Sequence, residues 1–198
     1  MKRLVVAIGG ASGSIYGVRL VGWLLKNGYP VDFLISQAGK KVFRYEIGEP
    51  PGDEAGWRNF FQDHSGLLNY HQEDDFSSPL ASGTSVRQAM IIIPCSMGMV
   101  GRLASGISSN LIERCADVML KESRPLVIAF RESPLNLIHL ENLARLKRAG
   151  AIIMPCAPGF YLKPKSIEEL VDRFIGRVLR QVGIENQLEG EWGNEQKG

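Results

Sequence analysis

The sequence predicts a single α/β domain built on a doubly wound parallel sheet, and three observations lead there. Five short apolar runs, at residues 4–8, 31–35, 88–93, 126–130 and 151–154, alternate with stretches whose apolar residues recur at helical spacing. The runs are near-continuous in Val, Ile and Leu, the pattern of strands covered on both faces. The chain has 198 residues, which suit one domain, and 44% hydrophobic with 22% charged residues is enough to fill a core.

The first run, LVVAI, leads into Gly9, Gly10, Ala11, Ser12 and Gly13, and a helical pattern follows to Leu25. Glycines lacking a Cβ let backbone N–H groups converge on an anion at a helix start, where the dipole favours negative charge. The loop therefore reads either as a phosphate cradle or as a tight strand-to-helix turn. It lacks the GxGxxG spacing, the second run ends in Ser36 rather than an acid, and no GK[ST] is present. Dinucleotide and nucleoside-triphosphate loops are excluded, and a ligand with one phosphate such as FMN fits better.

The helix over residues 17–26 carries Val18, Leu20, Val21, Leu24 and Leu25 on its apolar face and stops at Asn27-Gly28. After the second strand a helix covers 38–46. Residues 48–83, with Pro50-Pro51, scattered acids and Ser77-Ser78-Pro79, predict short helices and loops at a surface or edge. The third strand is stopped by Pro94, an amphipathic helix spans 110–121, and helices at 137–148 and 167–182 flank the last strand. From Gly183 the chain is polar apart from Leu188 and Trp192, so the division is a domain over 1–182 and a tail over 183–198.

A net charge of +2 gives no reason to expect nucleic acid as a partner, and no stretch has the length to span a membrane. Three cysteines, an odd number without metal-site spacing, predict a reducing compartment. Lys2 and Arg3 ahead of residues 4–8 imitate a signal peptide only faintly, because the apolar run breaks into glycines, so the expected location is cytoplasmic.

Parallel sheets collect ligands outside the carboxyl ends of their strands. Those ends deliver Gly10-Ala11-Ser12, Ser36, Pro94-Cys95-Ser96-Met97-Gly98, Arg131-Glu132 and the segment from Pro155 to Tyr161. Small, hydroxyl and charged residues thus converge on one rim.

These blocks carry a resemblance. GASGSIYG at Gly10, PCSMG at Pro94, NLIERCADVMLKESRPLV from Asn110, RESP at Arg131, IHLENL at Ile138 and PGFYLKPKS at Pro158 resemble the flavin prenyltransferases of the UbiX type, over nearly the whole chain and least across 48–76. The resemblance implies a Rossmann-like or flavodoxin-like three-layer sandwich and a homododecamer. The implied activity joins a dimethylallyl group from dimethylallyl monophosphate to reduced FMN, closing a ring between N5 and C6. The prenylated FMN serves a partner decarboxylase.

By the same resemblance Gly10, Ala11, Ser12, Ser36, Ser96, Met97, Gly98, Met99 and Arg131 contact FMN, and Arg114, Lys121, Tyr161 and Arg177 bind the prenyl phosphate. Arg114 and Lys121 lie one heptad apart on one helix and so share a face. Cations around a monoester stabilise the charge that builds as its bond to carbon breaks, in place of a metal. Without the resemblance they would read as a solvated basic face partnered by Glu113 and Glu122. Glu132 is the implied proton handler, Glu46 supports Ser12, and Trp192 reaches the prenyl pocket or a neighbouring subunit. Where relatives carry a tryptophan ahead of the ASG block Phe76 stands here, so the pocket's shape and preferred prenyl chain do not carry over.

Two other functions are compatible with a mononucleotide cradle: an FMN-dependent cysteine-type decarboxylase and a non-enzymatic flavin carrier. Neither explains Arg114, Lys121 and Arg177. Cys95, Cys115 and Cys156 read as small apolar residues, and His64, His71 and His139 do not gather with them, so no nucleophile pair or metal site is expected.

Overall fold

Six strands form one parallel sheet: β1 (Leu4–Ile8), β2 (Val31–Ile35), β3 (Leu68–Tyr70), β4 (Met90–Cys95), β5 (Leu126–Phe130) and β6 (Ile152–Pro155), in the order β3-β2-β1-β4-β5-β6. The structure, a computed structural model, describes residues 2–188. β1, β2, β4 and β5 are buried along their whole length, as strands covered on both faces must be. One face carries α1 (Ser14–Lys26), α2 (Gln37–Glu46), α3 (Glu54–Phe60) and α7 (Ile167–Gln181) over a core that includes Leu20, Phe43, Trp57 and Ile175. The other carries α4 (Met97–Ala104), α5 (Leu111–Lys121) and α6 (Leu137–Arg148) over Val100, Ile112 and Leu143. The result is a three-layer sandwich whose strand order reverses between β1 and β4. In sheets of this order the crevice that takes a ligand lies at that switch point, outside the carboxyl ends of the strands.

Among the described residues six of the seven α-helices start on a side-chain cap: Ser36, Asp53, Ser96, Asn110, Asn136 and Ser166 each accept the backbone N–H three residues on. The exception is α1, which begins after Gly13 at φ 110° with no side-chain cap of its own. Only glycine adopts that backbone without strain.

The sheet has six strands rather than five. The additional one, β3, lies within residues 48–83 and pairs with β2 through Val31 and Leu68. It is an edge strand fixed from outside, since Arg3 donates from Nη2 to the Leu67 carbonyl at 2.8 Å. The same region supplies α3, started by Asp53. β4 also runs through Pro94 instead of stopping before it. The β4–β5 register shifts between Ile92 and Cys95, so the missing proline N–H falls where the ladder is already irregular. α4 was not marked by the apolar pattern alone. Ile184 is buried after the end of α7, and Leu188 packs against the same core.

Candidate active site

The crevice is built where β1, β2, β4 and β5 run out. Gly10 packs so closely on α2 that a Cβ there would lie 2.5 Å from the Ala38 Cβ, which explains why the loop after β1 needs glycine at this point. Ser36 ends β2 and holds the Gly39 N–H with its Oγ at 2.9 Å. Ser96 caps α4, while the side chains of Met97 and Met99 are 5% and 1% exposed. Those two methionines belong to the core, so they can offer a ligand only their backbone. Arg131 reaches across from β5, its Nε 3.3 Å from the Ser12 carbonyl. Glu132, half-buried beside it, accepts the Ser133 N–H at 3.1 Å.

Glu46, at the end of α2, turns back to the start of α1. Its carboxylate accepts from Gly13 N at 3.0 Å and from Ser14 N at 2.7 Å. Burial raises its pKa, but hydrogen bonds from the Ser12 hydroxyl and from the Ser14 and Gly13 amides outweigh that and hold the carboxyl below its usual range. Glu46 thus supplies the cap that α1 otherwise lacks. The helix start that looked like a phosphate cradle already holds an anion, the chain's own carboxylate. α2 is similar, because Glu73 Oε1 accepts the Gln37 N–H at 2.9 Å.

The four residues assigned to the prenyl phosphate are not brought together within one chain. α5 begins beside the rim, where Leu111 N donates to the Glu73 carbonyl, and ends near the opposite edge, where Pro125 pairs with Met90. Arg114 sits in the first turns of α5, donating to the Ala81 carbonyl at 3.0 Å and to Asp117 Oδ2 at 2.8 Å. Lys121 lies two turns further from the rim, roughly 10 Å along the axis, 3.3 Å from Glu122 Oε1. Glu113 is not its surface partner: it is fully buried, bound to Arg102 Nε at 2.5 Å and Ser109 Oγ at 2.6 Å. Tyr161 is exposed on the loop after β6, and Arg177 is exposed on α7 toward its carboxyl end. Phe76 is 48% exposed, and Trp192 lies outside the described residues.

The thiols are free but inert. Burial pushes Cys115 and Cys156 up to about 12 and Cys95 higher still. No group of His, Cys, Asp and Glu among the described residues is arranged to hold a metal ion, and no helix there is long and apolar enough to cross a membrane. Glu73 carries no local sequence signal for its place at the start of α2, 36 residues away. Gly13 sits in the loop that was read, but its N–H partner is 33 residues away.

The flavoprotein family model matches residues 1–179. The chain is 48% identical over 191 residues to the flavin prenyltransferase UbiX of Halalkalibacterium halodurans, covering 96% of this chain and 93% of that one. It superposes with a TM-score of 0.89 on the crystal structure of AnUbiX in complex with FMN and dimethylallyl pyrophosphate, at 35% identity and covering 98% and 99% of the two chains. A dodecameric FMN-dependent UbiX-like decarboxylase from Escherichia coli O157:H7 gives a TM-score of 0.84 at 32% identity, covering 97% and 100%. A match that runs the length of both chains settles the kinship: the chain belongs to the flavoprotein family, among its UbiX flavin prenyltransferases.

Proposed function

We propose that this protein joins the dimethylallyl group of dimethylallyl monophosphate to N5 and C6 of reduced FMN without a metal ion, making prenylated FMN for a partner decarboxylase. The observation that carries the reading is the switch point between β1 and β4, where Arg131 reaches the Ser12 carbonyl and Ser36 and Glu132 follow neighbouring strands, in a chain 48% identical to a flavin prenyltransferase. The residues fit a flavin mononucleotide. The first N–H groups of α4 have no acceptor in the helix, and Ser96 takes up that of Met99, which leaves those of Met97 and Gly98 for a phosphate or ring edge. Arg131 engages only Nε among the described residues, so its Nη groups can face the ring. The analogous complex of AnUbiX contains FMN and dimethylallyl pyrophosphate.

When bound, reduced FMN supplies the nucleophilic ring atoms. Around it Gly10 and Ala11 give close backbone approach, Ser36 binds at the start of α2, and Ser12 is held in one orientation by Glu46. Glu132 takes up and returns the proton at the flavin edge. Arg114, Lys121, Tyr161 and Arg177 hold the leaving phosphate, and Trp192 with other aromatic faces shields the allyl group from water.

Because α5 runs from the rim toward the opposite edge and carries Lys121 away from its own crevice, we assign Lys121, and Arg114 on the same helix face, to the crevice of a neighbouring chain in a homo-oligomer. The E. coli relative is a dodecamer, and that assembly is the one proposed here. Leu137 at 69%, Ile138 at 65% and Phe160 at 70% exposure supply apolar surface of the kind a subunit contact covers. The free thiols agree with a cytoplasmic location. The domain extends past the expected boundary at 182, since Ile184 is buried and Leu188 packs on the core. A cysteine-type decarboxylase or flavin carrier would leave the cations on α5 unused.

Complementation between subunits tests this. Glu132→Gln and Lys121→Ala are each expected to be inactive alone. Co-expressed, they should recover roughly a quarter of wild-type activity, because sites pairing an intact Glu132 with an intact Lys121 form at random. Absence of recovery in confirmed mixed oligomers would overturn the shared site.

A further inference from the structure

Behind the rim contacts of Glu73, residues 71–78 are anchored to the sheet by a buried polar chain. Asp32, the second residue of β2, is fully buried. Its Oδ1 accepts from Arg3 Nε at 3.0 Å and its Oδ2 from Arg87 Nε at 2.5 Å. His71 Nε2 lies 3.1 Å from Asp32 Oδ1, and its Nδ1 lies 2.9 Å from Ser78 Oγ. A carboxylate between two guanidiniums can only accept, so Nε2 carries a proton, and Nδ1 pairs with the Ser78 hydroxyl on the other side of the ring. Ser, His and Asp in line suggest a hydrolase triad, but Ser78 is 5% exposed and the charge of Asp32 is already matched by Arg3 and Arg87. The chain of bonds holds position instead.

What it positions is the far end of the segment. Ser78 caps the short 3-10 helix Pro79–Ala81 by accepting the Leu80 N–H. The carbonyl of Ala81, last residue of that helix, takes Arg114 Nε at 3.0 Å. With Nη1 on Asp117, the guanidinium is fixed on two sides, and Nη2 has no hydrogen bond among the described residues. A guanidinium held this way presents its remaining donors in one direction and loses little freedom when an anion binds. We infer that His71, acting through Ser78 and the 3-10 helix, is a positioning residue for Arg114 as a prenyl-phosphate ligand. The inference rests on the role of Arg114 given above.

The test uses the full-length protein loaded with FMN, and the variants His71→Ala, Ser78→Ala, Ser78→Thr and Arg114→Ala. Measured are KM for dimethylallyl monophosphate, FMN affinity by fluorescence quenching, and melting temperature. Ser78→Ala keeps the backbone bonds from Ala81 to Ser78 and from Ser82 to Pro79, so it guards against a misfolded His71 variant. His71→Ala and Ser78→Ala are expected to raise KM about tenfold, the equivalent of one hydrogen bond to a charged group, with FMN affinity unchanged and Ser78→Thr restoring KM. If Arg114→Ala raises KM while Ser78→Ala does not, or if prenyl and FMN binding weaken in parallel, the positioning role is overturned. If Arg114→Ala itself leaves KM unchanged, the reading of Arg114 falls, and the inference with it.

Discussion

Replacing Glu46 with glutamine would test how the start of α1 is held. The native carboxylate accepts the Gly13 and Ser14 amides at 3.0 and 2.7 Å and the Ser12 hydroxyl, on a helix with no other cap. Glutamine keeps one acceptor oxygen but loses the charge that faces the helix dipole. Because Glu46 is exposed in the single chain, solvent screens it, and the loss is set at about 1 kcal/mol. For a chain of this size that is a fall of about 2–4 °C in Tm. The sign of the pH dependence follows from the carboxyl's depressed folded-state pKa. Its stabilisation is complete above the ordinary value of 4.5 and is lost as pH falls through the lower folded value. Thermal melts of both proteins between pH 7 and pH 3 should therefore show a gap at pH 7 that closes at acid pH. Turnover should drop about tenfold, the effect of one lost charge-assisted hydrogen bond on Ser12. A gap of the same size at both ends of the pH range, or none at pH 7, would refute the capping role.

Asp32→Asn leaves Arg3 and Arg87 facing each other in a fully buried site, at a cost of about 3–5 kcal/mol, which denaturant titration should register as a lowered midpoint. Burial raises the Asp32 pKa, but the His71, Arg87 and Arg3 contacts outweigh it, so its contribution disappears as pH falls below 3.8. Gly10→Val drives a Cβ to 2.5 Å from that of Ala38 and must displace the start of α2. FMN affinity, read by fluorescence, is expected to weaken about tenfold in a folded protein, an overpacking cost of about 1–3 kcal/mol. Glu132→Gln should bind FMN normally and lose turnover, and near-native turnover would remove Glu132 from the mechanism.

Much of this was legible in the residues because the informative signals are local. β1, β2 and β5 lie where their apolar runs ended, and the rim followed from what each strand delivers at its carboxyl end. β3 escaped because only Leu68 of its three residues is buried, and its place depends on Arg3, 64 residues from the Leu67 carbonyl it holds. α4 was there to be read in Ser96 as a cap followed by Met97, Val100 and Leu103, yet it is short and overlaps the PCSMG block. Asp32 inside VDFLI was a visible anomaly, a charge in a strand buried on both faces, but its partners Arg3, His71 and Arg87 are scattered along the chain. The heptad spacing put Arg114 and Lys121 on one face of a helix. Only the direction of α5 relative to the sheet revealed that this face runs away from the crevice of its own chain.

The most direct measurement is anaerobic incubation of the purified protein with reduced FMN and dimethylallyl monophosphate, without added metal, followed by mass spectrometry of the released flavin. The account predicts a flavin heavier by one C5 prenyl unit, abolished by Glu132→Gln. Unmodified FMN from folded, flavin-loaded oligomer would contradict it.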